Sequence, residues 1–399
     1  MRMEPLGNHV RFIRGVTFKP TDKCEAGERG SLVCLRTANV QETLDESDLI
    51  AIPASIVTNP EKIVRRGDVL VSSANSWNLV GKCCRVESLK HPSTAGGFIS
   101  ILRATSSELD PAFLYRWFAS DRTQATVRSF GNQTTNISNL DHKRTLALSI
   151  PLPPLPEQKR IAAILDAADA LRAKRRESIE QLDSLVQATF LEMFGDPVTN
   201  PKGWNSKEAA TIVKEGTSIT YGIVQAGDEF PGGVPYIRSG DIVNGEVAVE
   251  QLRRTNPAIA AKFERSRVDA GDIVMSIRAT VGTSAIVTNG VAGANLTQGT
   301  ARISPSSQVR STYLLHYIRT EGCQQWIQQQ VKGATFREIT LGRLRQMPVL
   351  LPPLLLQTRF ASIVESIEQQ KARLKAHLAE LDTLFASLQS RAFNGELVA

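Results

Sequence analysis

The chain is written twice. The segment from Pro153, PPLPEQKRIAAILDAADALRAKRRESIEQLDSLVQATFLEMFG, aligns without a gap on the segment from Pro352, PPLLLQTRFASIVESIEQQKARLKAHLAELDTLFASLQSRAFNG. The offset is 199, the distance from Pro153 to Pro352, and it sets Gln158 on Gln357, Arg160 on Arg359, Ile164 on Ile363, Asp183 on Asp382 and Phe194 on Phe393. Weaker echoes lie upstream: Gly67-Asp-Val-Leu-Val-Ser-Ser73 against Gly271-Asp-Ile-Val-Met-Ser-Ile277, and Gly131–Ile137 against Gly333–Ile339. An internal repeat fixes the architecture before any residue-level reading, because both halves must adopt one plan. The order predicted is module, helix, module, helix: residues 1–150, 151–196, 197–347 and 348–399.

Both similar segments open on prolines (Pro151, Pro153, Pro154 and Pro156; Pro348, Pro352 and Pro353) and run without Gly or Pro to Gly195 and Gly395. Proline disfavours helix in the residue before it yet is tolerated in a first turn, and glycine stops a helix. Helices are therefore predicted from near Pro156 and Leu355. In the second, Val364, Ile367, Lys371, Leu374, Leu378, Leu381, Phe385, Leu388 and Ala392 alternate at spacings of 3 and 4, a coiled-coil seam. The equivalent positions of the first, Leu165, Ala168, Arg172, Arg175, Ile179, Leu182, Val186, Thr189 and Met193, are polar in the middle. Connectivity makes two such helices antiparallel if they pack together. At ~1.5 Å per residue each spans ~50–60 Å, more than one turn of B-DNA.

The modules carry short β-like runs, such as Ser31–Leu35, Asp68–Val71, Phe98–Leu102 and Asp272–Ile277, and each closes on a helical stretch, near Pro111 and near Ser311. The fold class predicted is α+β: two tandem modules separated by two long antiparallel helices, with a pseudo-two-fold internal repeat.

Composition narrows the setting. Lys and Arg number 47 against 40 Asp and Glu, a mild excess of +7 that suits a polyanion without requiring one. The five cysteines form no Cys-x-x-Cys and the five histidines are scattered, so a disulfide framework and a metal site are not expected, and a reducing cytoplasm is. No run of ~20 apolar residues offers a membrane span, and no apolar leader opens the chain.

Polar loops at matching places in the halves supply base-reading chemistry. Asn and Gln bond adenine bidentately, and Arg bonds guanine. The candidates in the first module are Asn75, Ser76, Trp77, Asn78 and Lys82, then Arg128, Asn132, Gln133, Thr134 and Asn136; in the second they are Gln225, Arg238, Arg278, Thr280, Lys332, Thr335 and Arg337. Taken singly each is equally a solvated turn; the paired placement raises them above that. Catalytic signatures are missing. There is no phosphate loop, no Asn/Asp-Pro-Pro-Tyr/Phe, no Gly-x-Ser-x-Gly and no His-Glu-x-x-His, and Asp68 and Asp272 sit where turns and caps use them.

With the repeat, Pro151-Leu-Pro-Pro-Leu-Pro-Glu-Gln-Lys-Arg-Ile-Ala162 and the Gly-Asp-(Val/Ile) strand openers in view, the whole chain resembles the specificity subunit of Type I restriction–modification systems. The resemblance implies two target recognition domains, each reading one part of a bipartite asymmetric duplex, and a helical spacer. It implies two methyltransferase (modification) subunits docked on that region, and restriction (translocase–nuclease) subunits that join them to cleave. Those partners would carry S-adenosylmethionine, ATP and Mg²⁺; this chain would carry no cofactor and no metal. Glu157, Gln158, Arg160, Gln357 and Arg359, at the helix starts, are then expected to face a partner. One departure stands out: Leu356 replaces the acid found at Glu157. Two rival readings stay open, a coiled-coil scaffold with two protein-binding modules and a DNA enzyme with an unrecognised site.

Overall fold

The computed structural model describes residues 2–133, 137–333 and 337–397. The chain folds as two compact units, Met1–Arg175 with His377–Ala399, and Arg176–Ala376. The boundary falls inside both long helices, Leu155–Phe194 and Leu354–Asn394, so each unit holds one module plus half of each helix.

In the first unit Val10–Arg14, Ile99–Ala104, Val69–Ser72 and Cys83–Arg85 form an antiparallel sheet in that order. Ser31–Leu35 lies between Ala51–Pro53 and Ser93–Ala95 in a second sheet. Arg2–Pro5 pairs antiparallel with Ser149–Leu152, which leads into the first long helix. The second unit repeats the plan. Thr220–Tyr221, Thr300–Ile303, Ile273–Ser276 and Ser284–Ile286 make the four-stranded sheet, Val234–Ile237 joins Arg253–Thr255 to Asn295–Leu296, and Ser206–Glu208 pairs with Pro348–Leu350. Helices Pro111–Phe118 and Asp121–Ser129 in one unit correspond to Ser311–Arg319 and Glu321–Gln330 in the other.

Local chemistry explains the boundaries. Gly67 (φ +90) and Gly271 (φ +87) each make a left-handed turn before a buried strand, a conformation that costs an L side chain roughly 1–2 kcal/mol. The next residue, Asp68 or Asp272, turns its carboxylate back to accept the backbone N–H of Arg65 (2.7 Å) or Asp269 (2.9 Å). Gly195 (φ +80) and Gly395 (φ +84) close the long helices in the same conformation.

Each unit has its own core, and the helix halves close it. Ile161, Leu165 and Ala392 pack with Phe113, Leu114 and Phe118 in the first; Val186, Phe190 and Phe194 pack with Phe360, Val364, Ile367, Tyr313 and Tyr317 in the second. Val364, Ile367, Lys371 and Ala392 of the expected seam are buried, and Leu374, Leu378, Leu381, Phe385 and Leu388 are half-buried. Within each unit the halves run antiparallel. Arg160 meets the Leu397 carbonyl and Arg172 meets Asp382 in one; Asp183 meets Lys371 and Phe194 meets Phe360 in the other. The polar middle of the seam is where these ion pairs lie. Arg172 Nε–Asp382 Oδ1 and Lys371 Nζ–Asp183 Oδ1 are both 2.6 Å, and they are the same pair written twice at the offset of 199.

Candidate nucleic-acid interface

In the first unit the buried strand Val69–Ser72 runs on into Ala74–Asn75, which pairs with Ser138–Asn139, which pairs in turn with Asn132–Gln133. This ribbon places the backbones of Asn75, Asn132 and Gln133 side by side. The loop is anchored on one carbonyl: Phe98 O accepts from Ser73 N (2.9 Å), Ala74 N (3.3 Å) and Ser73 Oγ (3.1 Å). Asn75 is engaged within the turn, donating to Ser72 Oγ (3.1 Å) and accepting from Ser76 N (2.8 Å). Ser76, Trp77 and Asn78 stand exposed beyond it, and Lys82 donates to Gln41 Oε1 at 2.5 Å. Arg128 is half-buried near the end of Asp121–Ser129. Thr134 and Asn136 lie outside the described residues.

The second unit builds the same ribbon from single bridges, Arg278 with Glu338 and Lys332 with Glu338. Ala279 sits at φ +60, in the left-handed region, its N–H donating to the Arg337 carbonyl (3.2 Å). A non-glycine held there is strained, and such strain persists only where the surroundings impose it. The Arg278 guanidinium pairs with Glu338 at 3.2 Å with both side chains partly exposed, Arg337 donates to Gln328 Oε1 (2.6 Å), and Thr280 donates to Ser276 Oγ (3.3 Å). Gln225 and Lys332 are exposed. Arg238 is committed to Asp241 through two bonds of 2.7 and 3.0 Å, which tie it to its own loop. Thr335 lies outside the described residues.

The helix starts correct the expectation for two residues. Gln158 and Gln357 are 1% and 0% exposed. Gln158 accepts from Asp110 N (2.9 Å) and donates to Glu108 O (2.7 Å) and Pro153 O (2.9 Å). Gln357 repeats this with Arg310 N (2.8 Å), Gln308 O (3.3 Å) and Pro352 O (2.8 Å). Neither amide faces a docking surface; each fastens a long helix to the loop before its module's last helices. The reason is bond capacity: a carboxamide carries donors and acceptor on one head, so it can satisfy both kinds of orphan backbone group in a proline-interrupted start. Glu157 pairs with Arg160 (2.6 Å), and Arg160 and Arg359 keep exposed side chains.

Sequence reasoning misses three residues. Phe98 is 62% exposed beside the loop it anchors. Arg144 lies over the Phe130 ring at 4.1 Å, its N–H donating to Asp141 Oδ1 (3.0 Å). Arg343 occupies the same place 199 residues on, its N–H donating to Thr340 Oγ1 (3.4 Å). The repeat offset is the signal that finds the last two. Phe98 carries no sequence signal, because an aromatic beside a strand reads as core.

Three buried cysteines are poorly suited to act as nucleophiles. Burial pushes Cys34 up to about 11 and Cys84 and Cys323 up to about 12, well away from the thiolate a nucleophile needs. Among the described residues no three His, Cys, Asp or Glu side chains stand together to hold a metal ion, and no helix is long and apolar enough to cross a membrane.

Two modules of one α+β plan, each presenting a polar ribbon and each built onto paired helix halves, define a tandem recognition protein. Residues 24–181 and 201–382 match the family described as Type I restriction modification DNA specificity domain, and the chain belongs to that family. It is 28% identical over 302 residues to the EcoBI specificity subunit of Escherichia coli, covering 67% of this chain and 63% of that protein. It is 24% identical to the EcoKI specificity subunit of Escherichia coli, covering 99% and 89%. Among solved structures, a chain of a type I R-M system, described for complex assembly and conformational transition, is similar over 100% of both chains (TM-score 0.58, 20% identity). The S subunit from M. genitalium is similar over 98% and 96% (TM-score 0.57, 14% identity). These two likenesses establish the fold.

Proposed function

We propose that each unit reads one part of a bipartite asymmetric DNA site, and that the long helices set the spacing and dock two methyltransferase subunits. Restriction subunits join that assembly where the system includes them. The observation that carries this reading is the ribbon made twice: the same three-segment pairing joins Ala74, Asn139 and Asn132 in one unit and Arg278, Glu338 and Lys332 in the other, with exposed Asn139 in the first and a partly exposed guanidinium and an exposed Lys332 in the second. Base edges in the major groove are read by such groups, while cations such as Arg144 and Arg343 suit phosphates. The chain recognises and leaves catalysis to its partners, which hold S-adenosylmethionine, ATP and Mg²⁺, in the cytoplasm where the chromosome is reached.

The test is to map methylated adenines in cells that supply the methyltransferase subunits. Exchanging residues 1–150 for another family member's module changes one half-site alone, and inserting residues in the first long helix changes the spacer alone. An exchange that altered both half-sites would overturn the reading. Salt separates it from the scaffold reading: replacing Arg144 by Gln lowers affinity for all sequences alike and flattens the log–log salt slope by about 0.9 for each phosphate that is no longer neutralised.

A further inference from the structure

The two ribbons share the order of their pairing but differ in chemistry. The bond that anchors the loop recurs in both: Ser73 N to Phe98 O, and Ile277 N to Gly299 O, each 2.9 Å. Phe98 and Gly299 are therefore structural equivalents. In the first unit that position bears Phe98, 62% exposed, whose carbonyl accepts three hydrogen bonds, and Trp77, in the loop that carbonyl anchors, is 50% exposed. In the second unit the ring is gone. A Cβ at Gly299 would stand 2.8 Å from Ser239 Oγ and only in ordinary contact, 3.9 Å, with Arg278 Cβ, so no ring stands beside Arg278 at this position. Glu338 takes the edge of that guanidinium at 3.2 Å and leaves the rest of its five donors unclaimed by any described bond.

We propose that the units read by different chemistry: the first through apolar contact of Phe98 and Trp77 with thymine methyl groups, the second through Arg278 hydrogen-bonded to a guanine. Two exposed aromatics beside one polar loop cost hydration, and the thymine C5-methyl is the apolar feature of the major groove. Arg278 is pre-oriented by a carboxylate, as a side chain must be to reach O6 and N7 of guanine together.

The inference rests on the DNA-reading function, and base analogues test it without changing the fold. The complex with its methyltransferase subunits is titrated with its own mapped site, each thymine of the half read by residues 1–150 replaced in turn by deoxyuridine, which lacks only the methyl. Binding falls about fivefold to tenfold at one or two positions, and Phe98→Ala or Trp77→Ala abolishes that sensitivity. In the other half, 7-deazaguanine lowers binding about tenfold at one guanine, and Arg278→Ala makes the two duplexes equal. Indifference to deoxyuridine, sensitivity that survives in both aromatic variants, or a second half-site without guanine overturns the proposal. A complex that binds its mapped site normally while ignoring every analogue overturns the proposal alone; one that binds no bipartite duplex overturns the function beneath it as well.

Discussion

Asp68 and Asp272 occupy one position in two copies of one fold, yet they are paired differently. Both follow a left-handed glycine, both are at most 2% exposed, and both accept a backbone N–H three residues back. Asp68 is gripped by Arg103 through two bonds of 2.7 Å, and Arg103 also donates to the carbonyls of Glu61 and Ile63. Asp272 has Lys214 at 3.9 Å, and its Oδ1 lacks a hydrogen bond among the described residues. The register is the same in both units, and the residue across from the acid differs. Leu102 faces Val69, so Arg103 lies next to Asp68, whereas Ile303 faces Ile273 and the neighbour of Asp272 is Ser304. The repeat thus preserves the acid that builds the turn, while its counter-ion is set by one residue on another strand.

The largest effect that can break this comparison is the loss of Arg103. Arg103→Met leaves a buried carboxylate unpaired and costs the first unit about 3–5 kcal/mol. Lys214→Met costs the second unit at most about 1 kcal/mol, since that lysine is half-exposed and its contact is long. Native-state hydrogen exchange in Ile99–Ala104 and Thr300–Ile303 reports each unit separately; equal losses would mean the two aspartates are equivalent after all.

A second contrast concerns pH. Where the first unit has Arg116, bonded to Asp166 (2.6 Å) and Asp169 (2.8 Å), the second has His316 against the Phe360 ring. Burial first, then Arg319 and Lys371, hold His316 down to about 4 from its ordinary 6.5. Above about pH 6.5 the imidazole is neutral whether the chain is folded or not, and stability is unaffected. As the pH falls from 6.5 towards 4 the unfolded chain takes up a proton that the folded chain refuses, and the second unit loses stability at up to about 1.4 kcal/mol per pH step. His316→Phe removes that slope, measured by urea unfolding between pH 4 and 7; an unchanged slope would assign it elsewhere.

The smallest effect sharpens the likeness. Asp382 and Asp183 are 46% and 59% exposed, so the twin ion pairs of the long helices are worth about 0.5–1 kcal/mol each by double-mutant cycles, less at high salt. Arg172 also lies 4.4 Å from the Phe385 ring, so Arg172→Lys costs about a further 0.5 kcal/mol that Lys371→Arg does not mirror.

Much of this was legible in order of range. Proline and glycine act on their own backbone, so the helix limits read from near Pro156 to Gly195 agree with Leu155–Phe194. The seam was readable because its 3–4 spacing is a property of one helix. The site was legible only as loops. Trp77 and Asn78 do stand exposed, but Gln158 and Gln357 point inward because their partners lie nearly fifty residues away, and Arg238 is spent on Asp241 by the turn geometry of its own loop. Phe98 was legible only as a core residue.

By itself the sequence determined that one plan is used twice, that two uninterrupted helices follow the modules, and that a glycine–aspartate turn opens the same strand in each. These are consequences of local backbone preference and of self-similarity, which need no partner in space. Tertiary structure decided that each compact unit takes half of both helices, that Asp68 has a guanidinium and Asp272 does not, and that an aromatic ring faces solvent where its twin is a glycine. Those outcomes turn on which distant strand lies alongside and in what register, information that no single stretch of chain carries.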